Sequence, residues 1–196
     1  HVLSRRQRQM CIRDSSQTLT TTAAIATTKT IDGSGSVAIT ALHSTLAADL
    51  SGITASGGRT AAFDDDGTFT GNLGTTTVTV ADTKTMTAAA NKVAGKTINK
   101  VGGGDGALAV KLVSTSDDGA VDLTTVGGTA TQTFEVTGNV TFSGTLHGSI
   151  KTSVASSQTL TTTAAIATTK TIDGSGSVAI TALHSTLAAD LSGITA

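Results

Sequence analysis

One long stretch of the chain occurs twice without a single change. Ser15–Ala55 recurs as Ser156–Ala196, so the two copies start 141 positions apart. A fixed internal period is the sequence signature of repeat architectures, in which each unit stacks on its neighbours and buries a continuous core. The repeat therefore constrains the fold more than any other feature of the chain.

A shorter, degenerate period lies inside the long one. Val80–Ala88 aligns with Val154–Thr162 without a gap, and Lys96–Ile98 aligns with Lys170–Ile172 at the same offset. The repeating unit is therefore about 70 residues, two per long period. We expect one continuous array, made of a partial repeat and two full ones: 15–55, 56–127 and 128–196.

Within a unit, apolar and polar residues alternate over four to six positions, which predicts short half-buried strands. The predicted inward residues are Val78 and Val80; Leu108, Val110 and Leu112; Phe134 and Val136; Val178 and Ile180. Gly, Asn, Asp and Ser separate these segments and predict turns, at Gly102–Asp105, Asp117–Gly119, Gly127–Gly128 and Asp173–Ser177.

One short helix is predicted between the strands. Met86, Ala90 and Val93 have helical spacing, and Gly95 is placed to end the helix. The matching segment Thr161–Thr169 is rich in Thr, which argues for one or two turns at most.

Composition favours an all-β chain. Thr makes up about a fifth of the residues, charged residues are 14%, and there is no Pro, Trp or Tyr. Short strands, Gly-rich corners and tandem repeats predict a parallel β-solenoid with a thin Val, Ile, Leu and Ala core and a Thr-coated exterior. The alternative is a string of small β-sandwich modules with Greek-key topology, for which about 70 residues is a tight fit.

Charge and cysteine content exclude several functions. The net charge is −1, and apart from the N-terminal arginines the chain is mildly acidic, which disfavours nucleic-acid partners. No apolar run is long enough for membrane insertion. Cys11 is the only cysteine, so no disulfide framework can form.

The N-terminal segment differs in composition from everything after it. Its sequence HVLSRRQRQMCIRDS begins with His and lacks the apolar region of a signal peptide. It resembles translated sequencing-adapter read-through at the end of a metagenomic reading frame. We therefore expect residues 1–14 to be a non-native or disordered tail and the chain to be a segment of a longer repetitive protein.

Two motifs, one acidic and one Gly-rich, are candidate ion sites. Asp64–Gly67 contains three consecutive carboxylates, which could bind Ca²⁺, but the matching place in the next unit, Thr137–Val140, has none. A solvated turn is the favoured interpretation, with calcium as the alternative. Gly102–Gly106 resembles a calcium-binding nonapeptide, but it occurs once, and such sites need tandem copies.

No catalytic constellation is predicted. His43 and His184 occupy the same repeat position, and His147 stands alone, whereas a zinc site needs three or four converging ligands. No nucleophile-elbow motif is present, and an identical repeat is the opposite of one specialised groove. We therefore expect no enzyme, no catalytic, cofactor-binding or metal-binding residues, and no cofactor. A polysaccharide-acting β-helix enzyme is the third alternative.

The Thr-x-Thr pairs are the more informative signal. Stacked on one flat face, with strands about 4.8 Å apart, such pairs could order water as ice-binding β-helices do. Their irregular spacing in sequence also fits simple β-propensity on an exposed face. The pairs are Thr77/Thr79, Thr83/Thr85/Thr87, Thr131/Thr133 and Thr159/Thr161.

Residues 15–196 resemble the Thr/Ala/Gly-rich tandem repeats of giant bacterial surface and secreted proteins of the large-adhesin kind. The resemblance rests on units such as TFTGNLGTTTVTVADTKTMTAAANKVAGKTI and VAITALHSTLAADLSGI. It implies an extracellular or cell-surface location and a role as spacer, stalk or adhesive fibre. The alternative is a repeat that binds ice or carbohydrate, including host or surface glycans. The expected partners are neighbouring repeats of the same chain, and we expect end-to-end self-association because solenoids with uncapped ends stack.

Overall fold

The computed structural model of the protein describes residues 10–12, by their backbone, and residues 17–196. Sixteen short strands lie in this part of the chain, and the chain is mostly β. Their bounds are β1 (Met10–Ile12), β2 (Thr18–Thr22), β3 (Ile31–Gly33), β4 (Ser36–Leu42), β5 (Arg59–Phe63), β6 (Gly67–Phe69), β7 (Thr77–Val80), β8 (Thr85–Ala89), β9 (Ile98–Lys100), β10 (Ala107–Leu112), β11 (Thr131–Val136), β12 (Val140–Phe142), β13 (Thr152–Val154), β14 (Thr159–Thr163), β15 (Ile172–Gly174) and β16 (Ser177–Thr181).

The described helices are single turns. They are α1 (Ala23–Ala26), α2 (Ala90–Val93), α3 (Thr115–Asp118) and α4 (Ala164–Ala167), with a 3₁₀ turn at Leu123–Thr125. The predicted helix is thus confirmed as one turn, α2. Met86 is not part of it, because Met86 is an inward residue of β8 and lies opposite Leu108 of β10.

Parallel pairing joins the strands into four sheets. We call the five-stranded sheet β2-β4-β5-β7-β9 sheet I, the six-stranded sheet β15-β13-β11-β10-β8-β6 sheet II and the three-stranded sheet β12-β14-β16 sheet III; β1 and β3 form a separate pair. The hydrogen bonds that join stacked segments span about twenty residues of chain: Ser36 reaches Gly57, 21 positions away, and Thr159 reaches Asn139, 20 positions away.

Successive strands alternate between sheets. From β5 to β10 the chain switches between sheet I and sheet II at every strand, and from β11 to β16 it switches between sheet II and sheet III. Most strands therefore pair with the next strand but one in the chain; the exceptions in the described residues are β4 with β5 and β10 with β11, which are consecutive.

The Greek-key alternative is wrong for the described residues. Hairpin-connected sandwiches require antiparallel neighbours, whereas each described strand pairing is parallel. The physical reason is that the turns after β5, β7 and β8 carry the chain forward to another sheet instead of folding it back on itself.

The predicted inward residues form the core. All of them in β7, β10 and β11 are buried: Val78, Val80, Leu108, Val110, Leu112 and Val136 completely, and Phe134 to within 2%. One apolar cluster runs from Ala23 to Ile172, and it includes all four Phe side chains of the sequence. Val178 and Ile180 alternate as predicted but are only partly buried.

The proposed tail of residues 1–14 lies mostly outside the described residues. Within it, Met10–Ile12 forms β1, whose partner is β3. The remaining part of the segment is not described.

Candidate functional site

The three consecutive carboxylates of Asp64–Asp66 point to different neighbours. Asp64 contacts His43, with 3.0 Å between Oδ1 and Nδ1. Asp65 accepts from the backbone and hydroxyl of Ser44, the latter at 2.6 Å. Asp66 accepts from the backbone N–H of Thr85 at 2.8 Å and lies 3.2 Å from the Lys84 ammonium. The three carboxylates therefore bind a segment that precedes them and a segment that follows them, an arrangement that we call a clamp.

The backbone hydrogen bond from Thr85, together with the Lys84 hydrogen bond, holds the pKa of Asp66 below its ordinary value of 3.8. The ionised form of Asp66 is thus the one that the folded chain stabilises. Because the carboxylate is exposed, this is a modest contribution.

The same clamp recurs at other turns. In each case a side-chain oxygen accepts from a backbone N–H that lies about twenty residues or more away along the chain. The acceptor and donor pairs are Thr27 and Asp49, Asp82 and Asp105, Thr125 and Gly95, Asn139 and Thr159, and Thr168 and Asp190. Asn, Asp and Thr at the turns are thus explained as ties between stacked segments.

The Gly-rich loop Gly102–Gly106 belongs to this system of ties. Asp105 donates its backbone N–H to the Asp82 carboxylate at 2.8 Å, and Gly104 packs against the same side chain. The loop therefore lies over an acidic side chain of the preceding turn.

Asp118 is the deeply buried carboxylate of the described residues, with no exposed surface. It accepts from the backbone N–H groups of Val113 at 2.8 Å and Asn91 at 3.0 Å. Asn91 lies in the first turn of α2, so Asp118 ties the one-turn helix α2 to the segment that enters α3. Sequence reasoning assigned Asp117–Gly119 to a turn and missed this role.

The histidines lie apart. His43 pairs with Asp64, His147 stacks on Phe134 with ring centroids 5.7 Å apart, and His184 is exposed. In the described part of the chain, no three His, Cys, Asp or Glu side chains are placed to share a metal ion.

Outward-facing Thr and Ala side chains form ordered rows on sheet I. Thr20, Ala38, Thr60 and Thr77 lie opposite one another on four successive strands. A second row contains Thr22 and Thr40, then Ala62 and Thr79, and a register shift between Ile39 and Leu42 interrupts it. We call this surface the sheet I array.

Sheet II carries a matching surface, the sheet II array. One row joins Thr68, Thr87, Ala109 and Thr133, and the other joins Thr85, Ala107 and Thr131. The next row along is charged, because it contains Lys111, Glu135 and Asp173, joined through Ser153.

The predicted Thr pairs therefore occupy three sheets instead of one face. Thr77/Thr79 lie on sheet I, Thr85/Thr87 and Thr131/Thr133 on sheet II, and Thr159/Thr161 on sheet III. Thr83 lies in a turn with a φ of 60°. Thr20, Thr40, Thr60 and Thr68 lie in the same rows and were not predicted. The signal for them in the sequence is an apolar neighbour, at Leu19, Ile39, Ala61 and Phe69.

A groove lies on the outer side of β6, β8 and β10. Lys92, Lys111 and Val113 line its rim, and no carboxylate is among its lining residues. It therefore does not gather the several acids that a glycan-cleaving site requires.

No helix in the described ranges is both long and apolar enough to cross a bilayer. No protein-family model, curated protein or solved structure matches the chain.

Proposed function

We propose that the chain is a β-solenoid segment that serves as a spacer, stalk or adhesive rod of a long extracellular bacterial surface protein. The observation that carries the proposal is the alternation of successive strands between parallel sheets. In ordinary α/β folds, parallel neighbours are joined by a crossover helix of a dozen or more residues. Here the described helices have four residues each, and between most paired strands the crossover runs through a strand of another sheet.

The build suits a mechanical role. Coils that contact only their neighbours can be added without changing the existing ones, and the identical copies Ser15–Ala55 and Ser156–Ala196 are consistent with such growth. The inward rows bury apolar side chains from Ala23 to Ile172, while Thr hydroxyls give the outside a polar surface that needs few charges.

Array length tests the proposal. With about twenty residues per coil and a rise of about 4.8 Å per coil, a 141-residue period adds about 34 Å. Proteins carrying one, two and three periods are therefore expected to lengthen linearly at constant cross-section in small-angle X-ray scattering. A compact, roughly isotropic growth in volume would overturn the rod. Labelling of intact producing cells with an antibody against residues 56–127 tests the surface location.

The second candidate function is binding of ice, and the sheet I array favours it. Its rows of Thr and Ala are uncharged and repeat at about 4.8 Å between strands and about 6.6 Å along each strand. Hydroxyl and methyl groups at such regular spacing could organise water on a flat surface.

Thermal hysteresis of the purified chain, measured with Thr60→Lys and Thr77→Lys, tests this candidate. We expect the parent to be active and both variants to lose most activity, since each places a charge in the unbroken row. Thr75→Lys, at an exposed turn residue outside the array, is the matched control. An inactive parent would eliminate ice binding and leave the stalk proposal intact.

A further inference from the structure

The two identical copies sit in different surroundings, and their burial differs accordingly. Leu42 has no exposed surface, whereas Leu183, the same position in the second copy, is 64% exposed. Val37 and Ile39 are buried, whereas Val178 and Ile180 are only partly buried. Because the sequences are the same, the difference in exposed fraction reports how far neighbouring segments cover each copy.

A segment of this chain covers the first copy. Val37, Ile39 and Leu42 of β4 lie opposite Arg59, Ala61 and Phe63 of β5. Polar ties accompany the apolar contacts: the Ser36 hydroxyl donates to the Gly57 carbonyl at 2.8 Å, and the Leu50 N–H donates to the Asn72 carbonyl at 2.8 Å. The covering coil is Ser56–Val80, and it begins directly after Ala55.

The second copy presents the same groups without this cover. Val178, Ile180 and Leu183 stand where Val37, Ile39 and Leu42 stand, and Ser177 and Leu191 repeat Ser36 and Leu50. Each of these five is more exposed than its counterpart in the first copy. They lie on β16, which forms one edge of sheet III, and on the segment after it. An open parallel edge with an apolar row beside it is a template for another strand.

We propose that this surface, carried by Ser177–Ile194, is a docking site for one further coil with the sequence of Ser56–Val80. The proposal deepens the proposed solenoid function and rests on it. The occupant is identified by the molecule itself, because the same surface of the first copy already holds that coil. The predicted contacts are Arg, Ala and Phe of the added coil against Val178, Ile180 and Leu183.

An extended chain tests the proposal. It consists of all 196 residues followed directly after Ala196 by a second copy of residues 56–80. Leu183→Cys, in a Cys11→Ser background, reports the coverage of the surface through its rate of thiol labelling. We expect labelling to slow by about tenfold or more on extension, because the site changes from open to protected by a folded coil.

The matched control is an extension of equal length with Asp in place of Ala61 and Phe63 in the added copy. It should leave the labelling rate of Leu183→Cys unchanged, because the two inward contacts are lost. Unaltered fast labelling with the authentic extension would overturn the proposal. So would labelling of the unextended chain that slows with protein concentration and does not slow on extension, since the occupant would then be a second copy of the chain.

Leu42→Cys separates this failure from failure of the solenoid. Slow labelling of Leu42→Cys shows that the first copy is covered as described, so that fast labelling at position 183 then counts against docking alone. Amide exchange of residues 178–183 in the unsubstituted extended chain provides the same readout without any core substitution, and protection there on extension supports docking.

Discussion

Asp118 shows how one side chain ties two segments that are distant in sequence. Its carboxylate accepts from Val113, five positions away, and from Asn91, 27 positions away. The first contact is local, but the second depends on which strands pair with one another. A motif search reads Asp117–Gly119 as a turn because nothing in the sequence shows which backbone N–H will lie opposite the carboxylate.

We expect Asp118→Ala to destabilise the protein by about 3 kcal/mol, because two N–H groups in a buried place lose their acceptor. Asp118→Asn keeps one oxygen and should cost about half as much. Urea unfolding measures both. Asp117→Ala is the control at an exposed position of the same helix, with an expected change within about 0.5 kcal/mol. Equal effects at 117 and 118 would contradict the assigned role.

The hydrogen bonds that Asp66 accepts are expected to stabilise the folded chain less at acid pH. Its pKa in the folded chain lies below 3.8, because the carboxylate accepts from the Thr85 N–H and from Lys84. A lowered folded pKa gives stability that is present above the unfolded value and is lost as pH falls through the folded value. The contribution of Asp66 should therefore disappear below about pH 4.

Carboxyl titration by NMR gives this pKa directly. Since the Thr85 hydrogen bond is the larger cause, Lys84→Gln should move the pKa of Asp66 only part of the way back to 3.8. The free energy of unfolding of Asp66→Asn should approach that of the parent as the pH falls below about 4. A pKa of 3.8 in the parent would refute the tie.

At the scale of elements, the turns after the one-turn helices α1, α2 and α4 use a left-handed residue, whereas Gly119 after α3 keeps a right-handed conformation. Gly95 follows α2 with a φ of 69°, and Thr28 and Thr169 follow α1 and α4 at the same place with a φ of 60°. The sequence predicted the Gly95 ending. It did not predict left-handed residues at Thr28 and Thr169, because a β-branched residue rarely adopts a left-handed conformation. The backbone N–H groups of these two residues donate to the carbonyls of Asp49 and Asp190, and these hydrogen bonds impose the conformation.

A reciprocal exchange tests this strain. Thr169→Gly should stabilise the chain by about 1 kcal/mol, since it removes the left-handed cost. Gly95→Thr should destabilise it by about the same amount. No atom lies within 4 Å of a Cβ placed on Gly95, so the second effect is conformational. Thermal unfolding of the two variants should shift in opposite directions, and shifts of the same sign would contradict the explanation.

The sequence was sufficient to predict which residues of a strand face inward, but not how the outward residues of different strands align into rows. Val78 and Val80 faced inward as their spacing required, because period-two patterning has one physical solution when a single face is buried. The rows of the arrays depend on how many residues of chain separate two paired strands. Thr60 pairs with Thr77, 17 positions later, but Ala107 pairs with Thr131, 24 positions later. Because the connections differ in length, rows that are regular in the structure are irregularly spaced in the sequence.

At the scale of the whole molecule, the identical copies make an internal comparison of stability. Their amides have the same intrinsic exchange rates because their sequences are identical. We expect Val37–Ile39 to exchange much more slowly than Val178–Ile180, since covered strands open only with their neighbours. Hydrogen exchange by NMR measures the ratio in one sample. Equal protection would show that the pairing of β4 with β5 adds no protection.

The direction of the strand pairing has a mechanical consequence. In the proposed solenoid the hydrogen bonds between strands run along the long axis, so tension along that axis pulls coils apart at one end instead of shearing all strands together. Each released coil of about twenty residues supplies about 70 Å of extended chain. A rod built in this way would lengthen in small steps under load, because its coils unfold one at a time, and each step would dissipate mechanical energy.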